Sequence, residues 1–202
     1  MSTTEKLPMV IPADWVPGPP QGSWTYSDYA ALPDDGHRYE IVNGVLYMAP
    51  APSWSHQEIV GEFFAYLRDY LRATGLGGAF TSPIDVELAP EDTFQPDVVV
   101  LLKAHRGKLK DRHIVGAPDL VVEIVSPGSA TMDRHEKYVT YAQAGVPEYW
   151  IAEPGTQTVE VLALKGKRYH SLGVFRGKAT LPSQVLPEFK VRVEQFFVSV
   201  WS

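Results

Sequence analysis

Residues 95–102, QPDVVVLL, and residues 118–127, PDLVVEIVSP, decide how this chain is read. Each is a nearly continuous run of Val, Leu and Ile, the pattern of a central strand covered on both faces. Each also carries an acid where that pattern should forbid one: Asp97 opens the first run and Glu123 lies inside the second. An ionised carboxylate in a doubly covered strand costs several kcal/mol unless it is paired or coordinates a metal. Neighbouring strands lie about 4.8 Å apart, so acids at matching levels of adjacent strands can converge on one cation. Glu40, inside Arg38-Tyr39-Glu40-Ile41-Val42, repeats the anomaly in a third strand. Plainer explanations stand beside this one. Asp97 could cap a strand start or accept backbone hydrogen bonds, Glu123 could sit in a buried ion pair, and Glu40 could pair across a hairpin or face solvent.

Working outward, Arg38–Val42 and Val45–Met48 flank Asn43-Gly44, the strongest short-range hairpin signal because both turn positions tolerate positive φ. Before it, Thr25 with Asp28 three residues on predicts a short helix over Tyr26–Leu32, stopped by Pro33. Ser53 and Ser55 cap a helix reaching about Ala73, with Ile59, Phe63, Phe64, Leu67, Tyr70 and Leu71 on one face and Gly75, Gly77 and Gly78 ending it. Strands are expected at Ile84–Leu88, Pro96–Leu102 and Leu120–Val125. Pro127-Gly128 breaks the last, and a helix over Asp133–Ala144 closes at Gly145. Glu148–Ala152 reads as another buried strand, Thr158–Thr180 as a β meander, and Val193–Trp201 as a terminal helix. The result is an α/β class with a central mixed sheet flanked by helices, an N-terminal hairpin and a C-terminal meander.

Residues 1–24 carry five Pro and two Gly and predict an extended arm; 25–202 predict a single domain. With 45% hydrophobic residues in 202 there is material for one core, and no apolar run is long enough to cross a bilayer. The absence of Cys excludes disulfides, thiolate metal sites and a Cys nucleophile, and fits a reducing cytoplasm. The N-terminus has no secretory signal pattern, so the expectation is a soluble cytoplasmic protein without a membrane partner. A net charge of -6 argues against a passive cationic coat for nucleic acid, though metal-dependent phosphoryl chemistry itself requires clustered carboxylates. No phosphate-cradling glycine loop, zinc-helix pair of His or nucleophile-elbow serine is present. By helical pattern alone, Lys137 is a solvated position, and His56 near a helix start is an exposed or satisfied histidine.

The ordered series Gln95-Pro96-Asp97-Val98-Val99-Val100, Gly116-Ala117-Pro118-Asp119-Leu120 through Pro127, Lys137, Tyr141-Ala142 and Gly145-Val146-Pro147-Glu148-Tyr149-Trp150 resembles the Uma-type family of putative restriction endonucleases, within the PD-(D/E)xK nuclease superfamily. The Arg38–Gly44 hairpin and His56 also match its pattern, and the resemblance spans about residues 25–195. It implies a restriction-endonuclease-like core and a metal-dependent DNA endonuclease. Asp97 and Glu123 stand for the superfamily acids, and Glu40 for an additional acid of the hairpin. Val125 occupies the place where the superfamily usually has Lys, and Lys137 on the next helix stands in for it. Asp97, Glu123, Glu40 and the Ile124 carbonyl would hold Mg²⁺ or Mn²⁺, with Lys137 serving the attacking water or the pentacovalent state. Lys103, Arg106, Lys108, Lys110 and Arg112 are the candidates for phosphate contact, and a homodimer would cut both strands of a duplex. Two other readings stay open: a non-catalytic binding domain on the nuclease fold, and a carboxylate-based hydrolase acting on another substrate.

Overall fold

The computed structural model describes residues 10–126, 132–199 and 201. In chain order its elements are β1 (Ile11–Pro12), α1 (Tyr26–Ala30), β2 (Arg38–Val42), β3 (Val45–Ala49), α2 (Trp54–Thr74), β4 (Gly77–Thr81), β5 (Asp85–Ala89), β6 (Asp92–Phe94), β7 (Val98–Leu102), β8 (His113–Val115), β9 (Leu120–Ile124), α3 (Tyr138–Ala144), β10 (Glu148–Glu153), β11 (Thr158–Lys165) and β12 (Arg168–Arg176). Short 3-10 helices cover Lys103–Lys108 and Val193–Phe197, and a π-helical turn, Met132–Lys137, leads into α3.

The central mixed sheet has the order β12-β11-β10-β9-β7-β4, with β9 and β10 parallel and its other pairs antiparallel. β7 and β9 are neighbours, in the register Val98↔Val122 and Val100↔Leu120. Alternation then sorts their side chains. Val98, Val100, Leu120, Val122 and Ile124 pack with Val60, Phe63, Leu67 and Leu71 of α2, each fully buried side chain of this kind contributing roughly 1.5–3 kcal/mol. On the opposite face Val121 and Ile151 pack with Tyr141 and Ala142 of α3. Seven residues are too few for a stable isolated helix, so α3 depends on that packing.

A second six-stranded sheet, β1-β3-β2-β6-β5-β8, stands beside the first, and the hydrophobic pattern does not distinguish it. Its hairpin forms as the sequence predicts: Val42 pairs with Val45 across a two-residue turn, with φ of 50° at Asn43 and 72° at Gly44. A side chain at Gly44 would also strike the backbone of Gly22, 2.6 Å from its Cβ. From residue 10 the Pro-rich segment is docked, a two-residue strand followed by turns and bends over 14–19 and 21–22 rather than an extended arm. Ile11 and Pro12 pair with Met48 and Tyr47, and Ala13 and Trp24 are buried with Leu46 and Ile41.

Several local expectations are corrected. Gly75 closes α2 in the left-handed region, but Gly77 and Gly78 belong to β4. Gly77 is there because a Cβ would lie 2.3 Å from the Leu101 carbonyl of the neighbouring strand. The strand at Asp92–Phe94 carries too short an apolar run to be seen. The helix expected over Asp133–Ala144 is α-helical only from Tyr138, and that expected over Val193–Trp201 is the 3-10 segment Val193–Phe197. The meander reduces to the long β11–β12 hairpin. The Pro127-Gly128 break and residues 1–9 of the arm lie outside the described residues. Among the described residues no helix is long and apolar enough to cross a membrane.

Candidate active site

Continuing the β7–β9 register by one step sets Asp97, just before β7, opposite Glu123 near the end of β9. Antiparallel partners point to one face, so two acids distant in sequence meet at one end of the sheet. Glu40 comes from β2 of the second sheet, and Lys137 from the turn before α3. These four side chains, in the order Asp97, Glu123, Glu40 and Lys137, are 7%, 3%, 5% and 6% exposed, which means their charges must be satisfied by one another or by a ligand.

The site has two halves. In the first, Lys137 Nζ lies 3.0 Å from Glu123 Oε1 and 3.4 Å from Glu40 Oε1. Tyr141 Oη donates to the same Glu123 oxygen at 2.8 Å. Glu40 Oε1 also accepts the Gln95 backbone N–H at 2.9 Å. The Lys137 ammonium stands 6.0 Å from the centroid of the Phe94 ring, a further favourable environment for a cation. Burial, the neighbouring Glu123 charge and Tyr149 hold the Tyr141 hydroxyl well above the usual phenol range, so it stays a donor. Lys137 is therefore not the solvated helix residue its local pattern suggests.

In the second half, Asp97 Oδ2 accepts the Ile124 backbone N–H at 2.8 Å. His56 Nε2 lies 3.2 Å from the same Asp97 oxygen and 3.0 Å from the Ile124 carbonyl. His56 is in the first turn of α2, set by the Ser53 cap, whose hydroxyl accepts the His56 N–H. Burial pulls the imidazole pKa down, but the Asp97 hydrogen bond and charge, with the Ile124 carbonyl, outweigh it and leave the net above the ordinary 6.5. The other ring nitrogen, Nδ1, is buried without a hydrogen-bond partner among the described residues.

Sequence reasoning brings Asp97, Glu123, Ile124, Glu40 and Lys137 forward, and the fold gathers all five. It names Tyr141 only within the family resemblance and assigns it no role, and it reads His56 as an exposed or satisfied histidine beside the same resemblance. It also misses Gln95, whose backbone holds Glu40 and whose amide is fixed by Arg38 Nε at 3.1 Å, Tyr29 Oη at 3.1 Å and Asp85 Oδ1 at 2.9 Å. For Gln95 a local signal exists, since it directly precedes the acid-bearing β7; for Tyr141 the four-residue step from Lys137 is one, and for His56 only the packing of α2 reveals the contact. The basic stretch Lys103–Arg112 begins beyond the far end of β7, about 20 Å from Asp97 for six residues of extended chain, and its Lys110–Arg112 end lines a cavity with Thr81, Pro83 and Ile84, where β4 reaches the Asp97 end of β7.

Whether these groups suit a divalent cation can be judged from the donors. Among the described residues no three His, Asp or Glu side chains form a closed cage. The groups that do converge are the Asp97 carboxylate and the Ile124 carbonyl, with Glu123 on the adjoining strand position. Hard oxygens from one or two carboxylates and a carbonyl, with the remaining positions left to water, are what Mg²⁺ or Mn²⁺ requires at a phosphoryl-transfer site. The donor set fits an open site.

The comparisons with known proteins agree with this class. A family model described as Uma2, putative restriction endonuclease, matches residues 26–194, and the chain belongs to that family. Membership places it among nucleases in general terms. Of solved structures, one similar to it is the 1.96 Å crystal structure of a putative nuclease belonging to DUF820 from Anabaena variabilis ATCC 29413. That chain is 20% identical, with 86% of this chain and 97% of that one covered at a TM-score of 0.72, a likeness in fold. No curated protein matches.

Proposed function

We propose that the protein is a metal-dependent endonuclease hydrolysing phosphodiester bonds in DNA, with Mg²⁺ or Mn²⁺ as cofactor. The observation that supports this reading is that Asp97 and Glu123 stand opposite each other at one sheet end, with Lys137 against Glu123 and His56 against Asp97 and the Ile124 carbonyl. Asp97, Glu123 and the Ile124 carbonyl would hold the cation, and Glu40 would complete the shell directly or through water. When bound, the cation supplies an acidified water and neutralises charge on the phosphate.

The chain's own groups do the rest. Tyr141 fixes the Glu123 carboxylate through a short hydrogen bond. His56 joins Asp97 to the Ile124 carbonyl and so aligns two oxygens on the cation side. Lys137, held between Glu123 and Glu40, brings an ammonium to the attacking water or the developing phosphorane charge. A Cys-free chain suits a reducing cytoplasm, and a homodimer would bring two such sites to a duplex.

A non-catalytic nuclease-fold binding domain draws on one observation: Lys137 pairs with both Glu123 and Glu40, so the two buried acids have a cation of the chain's own. Nicking of supercoiled plasmid by the purified protein decides between the two. The expected result is nicking that requires Mg²⁺ or Mn²⁺, stops with EDTA and is lost in Asp97→Asn. Binding without nicking under every metal tested would leave only the binding-domain reading.

A further inference from the structure

The stretch Lys103–Arg112 holds five of the chain's 18 Lys and Arg and only one of its 24 Asp and Glu, yet it stands outside the acid cluster. Lys103, Arg106, Lys110 and Arg112 are exposed. They rim two adjoining cavities of 260 and 570 Å³ that share Phe80 and Leu109. Phe64 also lines the larger one, and the Arg68 guanidinium sits 5.4 Å from its ring centroid while pairing with Asp69. The floor is apolar and partly aromatic; the rim is cationic.

Both cavities follow β4, the outermost strand of the central sheet. Its Ser82 end is bonded to Asp97, with Ser82 N–H donating to the Asp97 carbonyl at 3.3 Å. Its other end, Gly77, pairs with Leu102 beside Lys103. The edge is thus a rail of about 17 Å, with Lys110 and Arg112 beside Thr81 and Pro83 at its acid end and Lys103 and Arg106 beside Gly77 and Gly78 at the other. Gly77, Gly78 and Ala79 keep the rail low, so a chain can approach its backbone closely.

We propose that this groove is the track for a single-stranded flank of the nucleic acid cut at the Asp97–Glu123 site; the inference rests on the nuclease reading above. Cations along a groove follow a phosphate backbone, and an apolar floor with Phe80 and Phe64 receives unstacked bases. A rigid duplex would meet only the rim and leave the floor unused. A second copy of the chain is the poorer occupant, because edge-to-edge pairing of β4 would bring the two basic stretches toward each other.

The test is fluorescence polarisation with a labelled 20-nucleotide oligothymidylate and a labelled 20-base-pair duplex, in EDTA, across a salt series, on the full chain. The variant carries Lys103→Gln, Arg106→Gln, Lys110→Gln and Arg112→Gln. Its single-strand affinity should fall at least tenfold, and the slope of log affinity against log salt should flatten by about 0.7 for each phosphate that the variant no longer neutralises. The exposed double variant Lys110→Gln/Arg112→Gln should show about half that change with a parental melting curve, which separates charge loss from misfolding.

Unchanged single-strand affinity in the fourfold variant overturns the proposal, as does a loss confined to the duplex or equal for both ligands. A dimer of the parent that the variant abolishes, with single-strand binding intact, assigns the groove to a second copy instead. A parent that cuts nucleic acid while the variant binds normally overturns the track alone. A parent that neither binds nor cuts any nucleic acid overturns the nuclease reading with it.

Discussion

Two glutamates on neighbouring parallel strands, Glu123 on β9 and Glu148 on β10, are both buried in the same sheet, and they have different partners. Glu148 is fully buried at the start of its strand, where the Trp150 indole donates to one oxygen at 2.6 Å. The backbone N–H groups of Gln184 and Val185 donate to its other oxygen at 2.7 and 3.3 Å. Those donors are neutral and belong to the sheet and the C-terminal segment. Glu123 is met instead by an ammonium and a phenol on side chains from the turn before α3 and from α3 itself. The contrast teaches that burial alone does not mark a chemical acid. A carboxylate held by fixed neutral donors staples the fold, whereas one held by a cation and a hydroxyl can exchange those partners for a metal or a phosphate.

The largest effect that sharpens this contrast is on cleavage. Glu123→Gln keeps the shape of the side chain and removes its charge, so plasmid cleavage should fall by about a thousandfold or more, about 4 kcal/mol in the barrier. Mn²⁺ affinity measured by calorimetry should fall with it. Glu148→Gln assayed in parallel should cut at the parental rate. If both variants lose cleavage equally while folded, the distinction between stapling and chemical acids is broken.

Lys137→Met comes next. The replacement fills similar volume but leaves Glu123 and Glu40 without their shared cation. Breaking a buried pair on one side costs about 3–5 kcal/mol, far from the few tenths expected of a solvated helix position. Chemical denaturation should report that loss. Cleavage, assayed where the variant is folded, should fall by on the order of a hundredfold. A parental denaturation midpoint would mean that the ammonium does not neutralise the acids as the distances imply.

Glu148→Gln then tests the other member of the pair. Its amide turns a donor toward an indole or a backbone N–H that already donates, leaving at least one buried hydrogen bond unmade at a cost of about 2 kcal/mol. For a chain of this size that lowers Tm by about 4–8 °C. A calorimetric scan reads it directly, and an unchanged Tm would remove Glu148 from the anchoring of the 184–185 turn.

The difference between the two glutamates also shows what the sequence could disclose. Glu123 is conspicuous because a charge interrupts an apolar run, and Asp97 for the same reason. Glu148 opens a strand that the sequence already reads as buried, but it stands at the start of that strand after Pro147, where a charge attracts no notice. The hairpin at Asn43-Gly44 and the long amphipathic α2 are legible because their signals are local. The second sheet is not, since its strands are short and its pairing joins β2 to β6 and β5 to β8 across long loops. His56 and Tyr141 are obscured in the same way: each lies on a helix with an ordinary pattern, and only the packing of that helix against the strand ends brings it to an acid.

The smallest effect belongs to Tyr141, and it tests the finest part of the contrast. Its hydroxyl shares Glu123 Oε1 with the Lys137 ammonium, so removing it leaves the carboxylate still paired. The ring is fully buried, in edge contact with Phe94 and Tyr149 at 5.3 and 5.2 Å, and Phe preserves that packing. Tyr141→Phe should therefore cost about 1 kcal/mol of stability, the net value of one hydrogen bond rather than of an ion pair. Its consequence for catalysis is positional. With this anchor gone the Glu123 carboxylate gains rotational freedom, and cleavage should drop by about three- to tenfold, with a weaker Mn²⁺ affinity measured in the absence of DNA. If Tyr141→Phe instead abolished cleavage as fully as Glu123→Gln, the hydroxyl would be acting on the reaction itself. If it changed neither metal affinity nor rate, the hydroxyl would not be needed to set the acid.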